Sequence, residues 1–160
     1  MSDRHQYHLF RNVLIAIVSL GLFFLPNVGV GMTDNRFEFS PRTHQWKAID
    51  EDGNVVRTGH GSGGRNYCPD IKRACHTPTG TFKVIAKRGS DCRSSRYPVG
   101  KGGSPMPYCS FFTQYYAVHG SYDVPNYNAS HGCVRIEPSD AKWLSGHFFH
   151  IGTTVVIKPY

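Results

Sequence analysis

Glycine and proline break this chain so often that long helices are disfavoured: 17 Gly and 10 Pro fall within 160 residues. Glycine loses much backbone entropy inside a regular element and proline lacks a donor, so both gather at turns. Aromatic residues make up 13% of the chain, and aromatic side chains suit short strands. Many short strands joined by turns follow from these features. A chain of this length supports one domain with its own core.

Read in order, Phe37 to Pro41 is a short strand. Thr43 to Asp50 then reaches the turn-forming Glu51-Asp52-Gly53-Asn54, and Val55 to Arg57 leads away from it, the pattern of a hairpin. Gly59 to Gly64 (GHGSGG) reads as a flexible loop, without the spacing or following helix of a phosphate-binding loop. Cys68 to Cys75 reads as a small closed loop, and Pro78 and Gly80 shape a turn before a strand at Thr81 to Lys87. Cys92 to Cys109 is expected to form an irregular surface lobe. Ser110 to His119 (SFFTQYYAVH) predicts a buried strand or a pair of strands. The helix expected near Ser139 would be capped by Ser139, favoured by Asp140 and stopped by Gly146. TTVVIKP reads as a final core strand. The expected fold class is mainly β: a β-sandwich or partly closed barrel of short strands with one short C-terminal helix.

The first residues stand apart from this pattern. Arg4 and Arg11 flank the start of an apolar run from Val13 to Leu25, Pro26 breaks it, and Gly29 and Gly31 follow. That order of charge, apolar run and small residues marks a secretory signal, and the run is short for a membrane span. The expected division is a signal peptide or N-terminal anchor at 1–31 and a folded domain at 32–160. Membrane attachment would come only through an uncleaved N-terminal segment. Export changes the reading of the five cysteines. Outside the cytosol thiols tend to pair, so Cys68, Cys75, Cys92, Cys109 and Cys133 imply two disulfides and one spare thiol.

Lys and Arg outnumber Asp and Glu by 18 to 11. A basic surface suits nucleic acid, anionic lipid or an anionic wall polymer, or serves only solubility. No dense Lys/Arg run occurs, so no nucleic-acid partner is expected.

The stretch from Ala117 to Ile136 (AVHGSYDVPNYNASHGCVRI) carries the chemistry. A thiol nucleophile needs a base or cation that lowers its pKa, and backbone N–H groups free to face an oxyanion. It also benefits from a cation that holds an anionic substrate. His119, Gly132 and Arg135 can supply these around Cys133. A buried structural cysteine is the alternative, and the Gly and polar residues around Cys133 speak against it.

SHGCVR at Ser130 to Arg135, with His119-Gly120 upstream, resembles the L,D-transpeptidase catalytic domain, the YkuD-like family. TPTGTFKV at Thr77 to Val84, MPY at Met106 to Tyr108, and DAKWL followed by GTTVVI match the family's other segments in order. The MPYC and YNASHGC forms look closest to the enhanced-entry proteins of intracellular bacterial pathogens. The departure is the spacer: ten residues, 120 to 129, separate His119 from Ser130, short for the family.

The resemblance implies a cysteine acyltransferase acting on peptidoglycan stem tetrapeptides in the periplasm or cell envelope. Cys133 would be the nucleophile and His119 its base, with the Gly120 carbonyl orienting the imidazole. The N–H groups of Gly132 and Cys133 would form the oxyanion hole, and Arg135 would pair with a substrate carboxylate. Ser130 and His131 are expected to brace the loop, direct acid–base work being the alternative for His131. Tyr108 and Tyr116 are candidates for the cleft wall, with core packing as the alternative for each. The acyl acceptor would be a diaminopimelate amine, an envelope protein's lysine, or water. No cofactor or metal is expected, and the chain is expected to be a monomer. With Cys133 kept free, the local pairing among three connectivities is Cys68–Cys75 and Cys92–Cys109.

Three rivals compete. A papain-like or endopeptidase reading needs a histidine after the cysteine, and only His147 and His150 follow. A metal site of His60, Cys68, Cys75 and His76 lacks tight CxxC spacing. A non-catalytic wall-binding or host-interaction module on the same fold is the third.

Overall fold

The computed structural model describes residues 34–160, and the expected signal or anchor at 1–31 lies outside the described residues. Nine strands form one sheet: β1 (Arg36–Ser40), β2 (Gln45–Ile49), β3 (Val55–Ser62), β4 (Gly80–Lys83), β5 (Ala86–Lys87), β6 (Ser110–Phe111), β7 (Ala117–Gly120), β8 (Val134–Ile136) and β9 (Thr154–Ile157). Their order is β4-β9-β1-β2-β3-β8-β7-β6-β5. β1–β9 and β7–β8 run parallel and the other neighbours antiparallel. With one short helix, α1 (Pro138–Trp143), the fold is mainly β, a curled sheet of the partly closed barrel kind.

Period-two alternation builds the core. β1 turns Phe37 and Phe39 inward, β2 turns Trp46 and Ala48 inward, and all four are fully buried. The Phe37 ring lies 5.7 Å from Trp46 and 5.4 Å from Phe149. Val118, Val134, Ile136 and Leu144 belong to the same cluster. Full burial of each large apolar side chain stabilises by roughly 1.5–3 kcal/mol.

Three local expectations are corrected. Of the Gly59–Gly64 stretch, Gly59 to Ser62 is not a loop but the second half of β3, where Gly61 and Ser62 pair with Ile136 and Arg135 of β8, while Gly63 and Gly64 lie beyond its end. A Cβ on Gly59 would fall 2.6 Å from the Trp46 ring, so the glycine serves close packing rather than flexibility. Ser139 does not cap the helix: α1 starts at Pro138, a position where a missing N–H costs nothing. Gly146 does not end the helix either, because a π-helical turn at Leu144–Phe148 continues it. In that turn the Phe149 N–H donates to the Leu144 carbonyl at 2.6 Å, and Phe148 and Phe149 are both buried.

The aromatic stretch from Ser110 to His119 forms two strands, β6 and β7. The turn between them is held by the Thr113 hydroxyl, which accepts from the Tyr115 and Tyr116 N–H groups at 3.2 and 3.0 Å. The Thr81–Lys87 strand is likewise divided into β4 and β5.

Candidate active site

Two parallel strands position the candidate reacting groups. Val118 of β7 pairs with Val134 of β8, and His119 pairs with Arg135. Paired residues share a face of the sheet and neighbours along a strand alternate. Val118, Val134 and Ile136 belong to the main core. His119, Arg135 and Cys133, one residue before β8, therefore face the other way, and all three line a cavity of about 510 Å³. The irregular lobe between Cys92 and Cys109 supplies much of the rest of the lining.

Cys133 is the one free cysteine among the described residues, since Cys68 bonds to Cys75 and Cys92 to Cys109. It packs against a small cluster of Cys92, Met106, Cys109 and Ala117. Burial pushes its thiol up to about 11, against the opposing help of a backbone hydrogen bond at Ala117 and the charge of Arg135. Burial also pulls the His119 imidazole down to about 4; Arg135 acts in the same direction, and a hydrogen bond to Gly120 opposes it. The expected lowering of the thiol is thus reversed, because removing an anion from water outweighs one nearby cation. At neutral pH the resting pair is a neutral thiol and a neutral imidazole.

The Nδ1–H of His119 donates to the Gly120 carbonyl at 2.9 Å, which leaves Nε2 as the ring's basic nitrogen. Gly120 itself has no room for a side chain: a Cβ would lie 3.0 Å from Pro138 Cα and 3.2 Å from the Pro107 carbonyl.

The turn that carries Cys133 is bound from several sides. Ser130 Oγ donates to the Cys133 carbonyl at 2.5 Å and accepts from the Gly132 N–H at 3.0 Å. The Ser130 N–H donates to the Gly63 carbonyl, and its own carbonyl accepts from the Arg65 N–H. Of the two amides expected to face an oxyanion, that of Gly132 is therefore already committed to Ser130. The Nε2–H of His131 donates to both carboxylate oxygens of Asp70 at 2.9 Å, and its ring stacks on Tyr97 with centroids 4.2 Å apart. In this arrangement Ser130 bonds within the turn, and His131 ties the turn to Asp70 and Tyr97.

Tyr116 lines the cavity beside Gly132, whereas Tyr108 is not among the lining residues; both pack against the main core. Gly132 has φ +119°, and a Cβ there would run into the Tyr116 ring. Gly132→Ala is expected to cost at least about 1–3 kcal/mol from backbone strain alone. Thermal unfolding should show a lower midpoint than wild type, and an unchanged midpoint would contradict the packing described.

Arg135 points into the cavity with its Nη1 donating to Asp123 at 2.8 Å. Asp123 belongs to the spacer after His119, where nothing in the sequence distinguished it. Asp70 and Tyr97 were equally invisible, since their link to His131 crosses two separate loops.

The rival metal set is not brought together. Cys68 and Cys75 are bonded to each other, His60 Nε2 meets the Pro125 carbonyl at 3.1 Å, and His76 meets Asn66 at 2.7 Å and stacks on Tyr160.

Residues 34–157 match the family YkuD, the L,D-transpeptidase catalytic domain. The chain is similar to the solved L,D-transpeptidase (residues 123–326) from Xylanimonas cellulosilytica, with 31% identity, TM-score 0.68, and coverage of 78% of this chain and 60% of that one. It also resembles in fold an L,D-transpeptidase from Mycobacterium smegmatis, with 21% identity, TM-score 0.64, and coverage of 78% and 58%. L,D-transpeptidase 3 from Mycobacterium tuberculosis, solved with a faropenem-derived adduct, shows 22% identity, TM-score 0.62, and coverage of 78% and 60%. The chain spans about 60% of the length of these structures. No curated protein sequence matches it. A thiol and an imidazole on one cavity wall, the SHGCVR turn and the match over 34–157 agree, and the chain belongs to the L,D-transpeptidase catalytic-domain family.

Proposed function

We propose that this chain is an L,D-transpeptidase that uses Cys133 to cleave and transfer peptidoglycan stem tetrapeptides. The observation that carries the reading is the geometry of His119. Its Nδ1–H is held by the Gly120 carbonyl, and its ring lines the same cavity as the one free thiol among the described residues.

The sulfur attacks the diaminopimelate carbonyl carbon while the thiol proton passes to His119 Nε2. Because both groups rest neutral, this transfer accompanies attack rather than preceding it. Collapse of the tetrahedral intermediate breaks the bond to the terminal D-alanine, whose amine takes the proton from His119. A thioester on Cys133 remains. An acceptor amine then attacks it, gives its proton to His119, and the sulfur recovers that proton as the thioester breaks. An oxyanion role for the Gly132 amide requires its N–H to leave Ser130 Oγ. Arg135 receives a substrate carboxylate with the guanidinium donors that Asp123 does not use.

A diaminopimelate amine as acceptor makes a 3-3 crosslink, a protein lysine anchors that protein, and water makes the reaction a carboxypeptidase step. We place the protein in the periplasm or envelope, exported through residues 1–31. The apolar run at Val13–Leu25 and two disulfides, bonds that persist in oxidising compartments, support this.

The test is purified protein incubated with tetrapeptide muropeptides and read by mass. Loss of D-alanine is expected, together with a crosslinked or tripeptide product that identifies the acceptor. A carbapenem is expected to add covalently to Cys133, as a faropenem-derived adduct is recorded for the M. tuberculosis structure. Neither D-alanine release nor an adduct would overturn the assignment.

A further inference from the structure

The cavity that holds Cys133 and His119 carries a charge imbalance that the reaction itself does not use. Arg88, Arg93, Arg96 and Arg135 line it, against two carboxylates, Asp70 and Asp123. Both carboxylates are committed: Asp70 to His131 and Asp123 to Arg135. The other three arginines have no anionic partner among the described residues. Arg93 donates only to the neutral Gly103 carbonyl, at 2.7 Å. The guanidinium of Arg96 lies over the Tyr115 ring, 3.8 Å from its centroid, and makes no side-chain hydrogen bond or ion pair among the described residues. Arg88 makes no side-chain hydrogen bond or ion pair among the described residues. Arg93 and Arg96 sit inside the loop closed by Cys92–Cys109, so the cations ride on a covalently tied wall.

We propose that Arg88, Arg93 and Arg96 form an anion subsite that selects donor stem peptides with free carboxylates over stems whose carboxylates are amidated. This rests on the transpeptidase reading above. A tetrapeptide stem presents several carboxylates around its diaminopimelate, and Arg135 can meet only one end of it. A guanidinium fork matches a carboxylate with two charge-assisted hydrogen bonds. Amidation removes the charge and turns two N–H donors toward a wall that already consists of donors. The three side chains are exposed, so their attraction is screened and weakens with salt.

The experiment compares D-alanine release from two donors, one with free carboxylates and one amidated at the stem glutamate and diaminopimelate. The full chain is assayed beside R88Q/R93Q/R96Q. The wild type is expected to prefer the free donor by roughly ten- to a hundredfold in kcat/KM, less so at high salt. In the triple variant the preference should fall toward one, through a higher KM for the free donor, with turnover of the amidated donor retained. Equal use of both donors by the wild type, or an undiminished preference in the triple variant, overturns the proposal. If the triple variant does not fold, the single variants R88Q and R96Q should each reduce the preference, and no reduction in either overturns it. Carbapenem acylation of Cys133 reads the transpeptidase assignment separately. An adduct without donor preference sinks only the subsite, whereas no adduct and no D-alanine release sink both.

Discussion

Cys133→Ala is expected to lower D-alanine release by at least roughly a thousandfold, the scale seen when a covalent nucleophile is removed. The argument is local. Cys133 is the only unpaired cysteine among the described residues, and it lines the cavity that His119 also lines. No hydroxyl can replace it without a large change: Ser130 Oγ already bonds to the Cys133 carbonyl and the Gly132 N–H. The substitution removes one sulfur and leaves the backbone bonds of the turn in place, so the thermal midpoint should stay close to wild type. Mass analysis should show no carbapenem adduct. Retained release of D-alanine in a folded C133A protein would contradict the nucleophile assignment, and the non-catalytic module would then become the better reading.

The second large effect concerns His119 and pH. His119→Gln is expected to reduce kcat/KM by roughly a hundred- to ten-thousandfold, the contribution of a positioned base. In the wild type the imidazole titrates near 4 and the thiol near 11. The base works only when unprotonated, so kcat/KM should be level from pH 6 to 8 and fall as pH drops through about 4. Alkylation of Cys133 by iodoacetamide should rise about tenfold per pH unit above neutrality and level off near 11. A resting thiolate–imidazolium pair predicts the opposite, an alkylation rate already at its plateau at pH 7. That result would overturn the neutral-pair mechanism.

The same two groups give stability a pH dependence. The folded-state value of His119 lies below its ordinary 6.5, so the unfolded chain binds a proton that the folded chain refuses. Stability is then lost as pH falls from 6.5 to about 4, by about 3 kcal/mol in all. The folded-state value of Cys133 lies above its ordinary 9.0, so the unfolded chain releases its proton first, and stability falls again as pH rises from 9 to about 11.

Much of the fold was legible because it depends on short-range patterns. The alternation in Arg36–Ser40 and Gln45–Ile49 and the Gly53 turn between β2 and β3 are period-two and turn signals that need no partner to read. The stretch GHGSGG misled for a physical reason. Glycine marks flexibility in a loop and close approach in a sheet, and only the position of Trp46 over Gly59 separates the two. The helix start misled similarly: Ser139 is a good cap by residue type, but the helix begins at Pro138, with Glu137 in the cap position and no side-chain cap bond.

By itself the sequence determined the turn-rich β class, the odd cysteine and the SHGCVR turn with its upstream His-Gly, because each is a matter of residue type and near spacing. Tertiary structure alone decided what surrounds them. It placed Asp70 on His131, 61 residues away in the chain, and turned Asp123 of the spacer back onto Arg135 of β8. It gathered Arg88, Arg93 and Arg96, three arginines without an anionic partner among the described residues, into the lining of the cavity that holds Cys133. And it set the burial that shifts Cys133 up and His119 down, since desolvation depends on what packs around a group, and no spacing along the chain records that.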